Sequence, residues 1–93
     1  MKNETKGIRV DFPKELIGGA YSNNMAVTHT KDEFVMDFLM IMPPSGAVTS
    51  RVIVSPGHIK RIVQALQENI QRYEDEFGSI QTSEISMGDI TLQ

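Results

Sequence analysis

Few residues in this chain have side chains suited to chemistry, and they are scattered: His29, Asp37, Arg51, Ser55, His58, Lys60 and Arg61. Imidazole and carboxylate groups are what zinc and related ions take as ligands, so His29, His58 and Asp37 are the first set to weigh. They share no close-spaced pattern such as HExxH and fall in different segments, so no metal site is expected. Ser55 precedes Pro56 in "VSPGH" without a surrounding GxSxG, which makes it a helix cap in preference to a nucleophile. Gly18 and Gly19 lack the GxGxxG or GK[ST] context of a phosphate loop. The chain has no cysteine, which removes disulfides, thiolate nucleophiles and cysteine-ligated zinc together. The expectation is a protein that is not an enzyme and carries no cofactor.

Asp37 is the most informative of these residues. It stands in "EFVMDFLMIM", where a carboxylate among apolar neighbours is costly unless paired. Taking the following turn to be centred near Ser45, Arg51 lies at a comparable distance on its far side, so the two can face each other across a strand ladder. A structural ion pair is the plain reading; a partner-binding pair at a dimer groove is the functional one. Lys60 and Arg61, with His58, form a small basic cluster at the start of a helix, where an anion is attracted; such residues are more often simply exposed.

The elements that must position these groups follow from periodicity. "IRVDF" (8–12) alternates Ile8, Val10 and Phe12 with Arg9 and Asp11 before Pro13, which reads as a short edge strand. Residues 21–30 alternate with one greasier side and predict a half-buried strand carrying Tyr21 and Asn23. After the polar "TKDE", residues 33–42 are apolar on both faces, the mark of a central covered strand that buries Phe34 and Phe38. "PPSG" makes a turn and "AVTSRVIVS" (47–55) is β-branched and strand-like. The period then changes: Ser55 caps, Pro56 takes the first helical position and Gly78 stops a helix. Its stripe is Ile59, Ile62, Val63, Leu66, Ile70, Tyr73 and Phe77. Glu68 with Arg72, and Arg72 with Glu76, are spaced for pairing on its wet face, and Glu74, Asp75 and Glu76 crowd its end as a solvated face or an acidic patch.

At 93 residues this is one domain, of a size that often gains stability by association. A mobile 1–7, a domain over 8–80 and a tail over 81–93, read as flexible, a small added strand or a segment that orders on binding, are the expected divisions. A formal charge of −3 argues against generic binding of phosphate backbones. Met25, Met36, Met40 and Met42 are expected to fill core gaps. No apolar run approaches a membrane span, and the N-terminal segment lacks the apolar stretch of a signal peptide, so the expected location is the cytoplasm.

Tyr21, Asn23, "EFVMDF" with Phe34, Asp37 and Phe38, Arg51, "SPGH" with Ser55, Pro56 and His58, and Ala65, Leu66, Asn69, Tyr73, Glu74, Phe77 and Gly78 together resemble a family of small bacterial proteins known as domain-of-unknown-function family 3467. The resemblance covers about residues 16–80. It implies a shared fold and no defined activity.

The architecture expected is α+β: a three- to four-stranded antiparallel meander followed by one long helix on one sheet face. One helix leaves the second face of the central strand open, and the simplest cover is a second copy; the competing cover is the C-terminal tail folding back. The function expected is a non-enzymatic homodimeric module that binds another protein, with Tyr21, Asn23, Asp37, Arg51, His58, Lys60 and Arg61 as candidate interface residues. The alternative is a single-strand nucleic-acid binder, which would need a basic groove with exposed aromatics.

Overall fold

In a computed structural model, which describes residues 7–82, the strands are β1 (Asn24–His29), β2 (Phe34–Met42) and β3 (Ser45–Val54), followed by the helix α1 (Pro56–Phe77). They form one antiparallel sheet in the order β1-β2-β3, so the doubly apolar segment is the central strand, as its composition requires. The fold is α+β. The β1–β2 turn is tied by Thr30, whose hydroxyl accepts from the amides of Asp32 and Glu33, both at 3.2 Å. The β2–β3 turn is the Pro43-Pro44 pair, joined by a cis bond.

The β2–β3 ladder carries one irregularity. Near the turn Met42 faces Ser45 and Leu39 faces Val48, yet beyond it Phe38 faces Ser50 and Asp37 faces Arg51. Thr49 is the surplus residue of a bulge, and its hydroxyl donates to the Phe38 carbonyl at 3.2 Å. Cross-strand partners share a face. One face therefore carries Met25, Val27, Phe34, Met36, Phe38 and Val52, with His29 at one corner and, among the described residues, no Asp, Glu, Lys or Arg among their register partners. The other carries Ala26, Val35, Asp37, Leu39, Arg51 and Ile53.

The α1 boundaries fall where local chemistry sets them. The Ser55 hydroxyl accepts from the His58 amide at 3.2 Å, and Pro56 opens the first turn. Gly78 ends the helix at φ 94°, a conformation that side-chain-bearing residues avoid, and donates to the Glu74 carbonyl. The joint between β3 and α1 is Ser55 alone.

Several expectations fail. Residues 8–12 form no strand: Ile8 is an isolated bridge, and Ile8, Val10 and Phe12 are all more than 60% exposed. After them the Pro13 carbonyl accepts from the Leu16 amide, opening a short 3-10 turn, Lys14–Leu16. Tyr21, assigned to a strand and to the core, precedes β1 and is 79% exposed. Phe34 and Phe38 are only half-buried. Of the methionines, Met36 is buried, while Met25 and Met42 are exposed. Glu68 accepts from Gln64 and makes no ion pair with Arg72 among the described residues, nor does Glu76. Glu74 is not part of a free acidic patch, because its carboxylate accepts from the Ile80 amide at 2.9 Å. Nearly all of the expected tail, and most of the expected mobile N-terminus, lies outside the described residues.

The core is small. Among the described residues, the buried apolar side chains are Ala26, Met36 and Leu39, and none belongs to α1. Ile59 and Ile62, in the first two turns, are half-buried; from Val63 onward the stripe stands open, with Leu66 57% and Phe77 66% exposed.

Candidate interaction site

The charged centre of the sheet comes directly from the register. Asp37 lies opposite Arg51 on β3 and Ala26 on β1. The guanidinium donates from Nε to Oδ1 at 2.5 Å and from Nη2 to Oδ2 at 2.9 Å, a bidentate fork. The Asp37 carboxylate is almost completely covered while the arginine side chain is 62% exposed, so the stem and head of Arg51 lie over the acid as a lid. Hydrogen bonding to Arg51 holds the Asp37 carboxyl below its ordinary value, and the same bond raises Arg51. A carboxylate held ionised and doubly bonded is a poor proton acceptor, so this pair stabilises structure and offers no acid–base chemistry.

A second polar constellation lies where the chain enters β1. Asn23 precedes the strand, yet its carboxamide accepts from the Ile41 amide at 2.8 Å and donates to the Ile41 carbonyl at 2.9 Å. Its own amide donates to Leu39. The side chain thus continues the β1–β2 ladder by one pair after the backbone has turned away. Ser22 adds bonds to the carbonyls of Asn24 and Leu39 at 2.7 and 3.1 Å. Between this segment and Phe38 lies an open cleft of 630 Å³, bordered by Tyr21 and Met25. Nothing in the alternation pattern points to this use of Asn23. The available signal is a polar residue with a two-sided amide at a strand entrance beside Ser22.

The third group gathers at the start of α1. Arg61 Nη2 lies 3.2 Å from His58 Nδ1, one turn apart, and both are exposed together with Lys60. No hydrogen bond or ion pair among the described residues joins this group to Asp37 and Arg51. His29 stacks on Phe34, its register partner, with ring centroids 5.3 Å apart. His29, Asp37 and His58 are therefore engaged in three separate contacts, and among the described residues no three His, Asp or Glu side chains gather around a common point.

The stripe that sequence reading placed against the sheet is left open. Val63, Leu66, Ile70, Tyr73 and Phe77 are 47–66% exposed along one side of α1, with Tyr73 and Phe77 packed ring to ring at 5.0 Å. Isolated exposed apolar residues are ordinary on protein surfaces; a continuous row of them on one element marks an interaction site. Of the seven candidate residues, the structure joins Asp37 to Arg51 and His58 to Arg61, and places Tyr21 and Asn23 along one cleft. The apolar stripe, expected to pack on the sheet, was not among the candidate residues, yet it stands exposed.

Among the described residues, no helix is long and apolar enough to cross a membrane. In comparisons with known proteins, residues 1–82 match the model of a family described as "Protein of unknown function (DUF3467)". No curated protein and no solved structure matches.

Proposed function

We propose that this chain, which belongs to the DUF3467 family, works as a homodimeric module that binds another protein and performs no chemistry of its own. The observation carrying this reading is the uncovered stripe of α1 beside a core of three buried apolar side chains. A helix gains most of its stability from packing its apolar face, and a second copy offers matching surface at the same concentration as the first. The residues with reactive side chains point the same way. Asp37 is held by Arg51, and the Ser55 hydroxyl caps α1. On the dimer, the exposed Tyr21 at the rim of the cleft is the place for a further protein, since an exposed tyrosine is what interfaces favour. The lack of cysteine fits work in the cytoplasm.

Sedimentation equilibrium over a wide concentration range tests the assembly. The expected result is a dimer that Leu66→Glu converts to a monomer with unchanged strand content. A chain that remains monomeric at the highest concentration would overturn the reading. Titration of labelled single-stranded oligonucleotides at low salt tests the competing function; saturable, salt-sensitive binding would replace protein binding with nucleic-acid binding.

A further inference from the structure

We infer that the stripe of α1 in one copy lies across the charge-free sheet face of a second copy, each subunit giving its helix and receiving its partner's. This arrangement rests on the dimer proposed above and specifies its interface.

Three observations carry it. The chain presents two apolar surfaces of different shape, a helical stripe and a sheet face, and along the stripe only Ile59 and Ile62 are even half-buried. The single-residue joint at Ser55 explains why, because it leaves no loop with which α1 could fold back along the strands. The two surfaces also match in chemistry and length. The stripe holds Val63, Leu66, Ile70, Tyr73 and Phe77, and the face holds Met25, Val27, Phe38 and Val52 around the buried Met36, with no Asp, Glu, Lys or Arg among their register partners. The 22 residues of α1 span about 33 Å, and nine- and ten-residue strands span roughly 30 Å.

Area decides between a fleeting and a lasting contact. At the exposures found and with side chains of ordinary size, the stripe and the face together leave on the order of 800 Å² open per copy. That is what one partner of a stable interface buries. A two-fold axis forms the same contact twice and closes, so assembly stops at two. The opposite face, with Asp37 and Arg51 at its centre, lacks this match, because the guanidinium would have to be stripped of water to receive a helix.

The absence of cysteine makes the test direct. Ile70→Cys and Val27→Cys are placed in separate, differently tagged chains, co-expressed, and oxidised after purification; any link between them is necessarily intermolecular. Both positions are about half exposed, so neither change opens the core. The expected result is a mixed disulfide between the two chains at least fivefold more abundant than with Glu68→Cys, on the opposite side of α1, in place of Ile70→Cys. Leu66→Cys with Val52→Cys repeats the test at a second point. A wild-type dimer that links Ile70→Cys chiefly to itself, or links neither mixed pair, overturns this interface while the dimer stands. A wild-type monomer overturns both.

Discussion

The side chain of Asn23 pairs with the backbone of Ile41 as a strand residue would, accepting from its amide and donating to its carbonyl. The central strand is thereby held two residues beyond Leu39, its last residue with a register partner in β1. Asn23→Ala removes both bonds and is expected to cost about 1–2 kcal/mol. Asn23→Asp keeps the acceptor and loses the donor, so it falls between. Thermal melting by circular dichroism checks the order; three equal melting curves would mean the pairing contributes nothing.

The Asp37 carboxyl titrates below its ordinary value because Arg51 hydrogen-bonds to the ionised form. A lowered folded pKa contributes stability that is present above the unfolded value, about 3.9, and is lost as pH falls through the folded one. Urea midpoints measured downward from pH 6 are therefore expected to fall more steeply below pH 4 in the wild type than in Asp37→Asn. Arg51→Ala leaves the covered carboxylate unpaired and is expected to destabilise more at pH 7 than at pH 2.5. Parallel pH profiles for wild type and Asp37→Asn would remove the pair as a contributor.

Phe38 occupies the central strand, but it is half-buried within the single chain. Phe38→Ala is expected to cost about 2 kcal/mol at low concentration, less than the ~3–5 kcal/mol of a fully enclosed phenylalanine. Because the side chain lies on the face assigned to the partner helix, the cost should grow with protein concentration. Urea unfolding at two concentrations a hundredfold apart measures both quantities.

Removing the hydroxyl that caps α1, with Ser55→Ala, is expected to cost about 1 kcal/mol, and Ser55→Asp should restore most of it. Hydrogen exchange localises the effect, since the His58 amide is the donor that loses its partner. Exchange at His58 that does not quicken would show that the cap is replaced by water.

How far the sequence could be read is clearest at Arg51. A turn placed near Ser45 leaves Asp37 and Arg51 at similar but unequal distances on its two sides, enough to suggest the pair; the turn is at Pro43-Pro44, where simple counting would place Ser50 opposite Asp37. The bulge at Thr49 makes up the difference, and no composition signal announces a bulge. Local rules served α1 well because Ser55, Pro56 and Gly78 act through bonds within a turn of themselves. They served the stripe poorly, since periodicity shows that a face is apolar and says nothing of which surface covers it. The same limit explains Ile8, Val10 and Phe12, whose alternation fits a strand for which no neighbouring strand lies alongside among the described residues. The Asp37–Arg51 pair was legible because a buried charge demands a partner; the work of Asn23 was not, because an amide makes no such demand.

The joint at Ser55 has mechanical meaning. With one residue between the end of β3 and the start of α1, the direction of the helix follows the direction in which the edge strand ends. A rotation of about 10° at that point carries the far end of a helix roughly 33 Å long through about 6 Å. Anything that changes the twist of β3, such as a strand added along its open edge, is magnified at Tyr73 and Phe77. The outer edge of the sheet and the tip of the helix, although distant, are thus geared to each other.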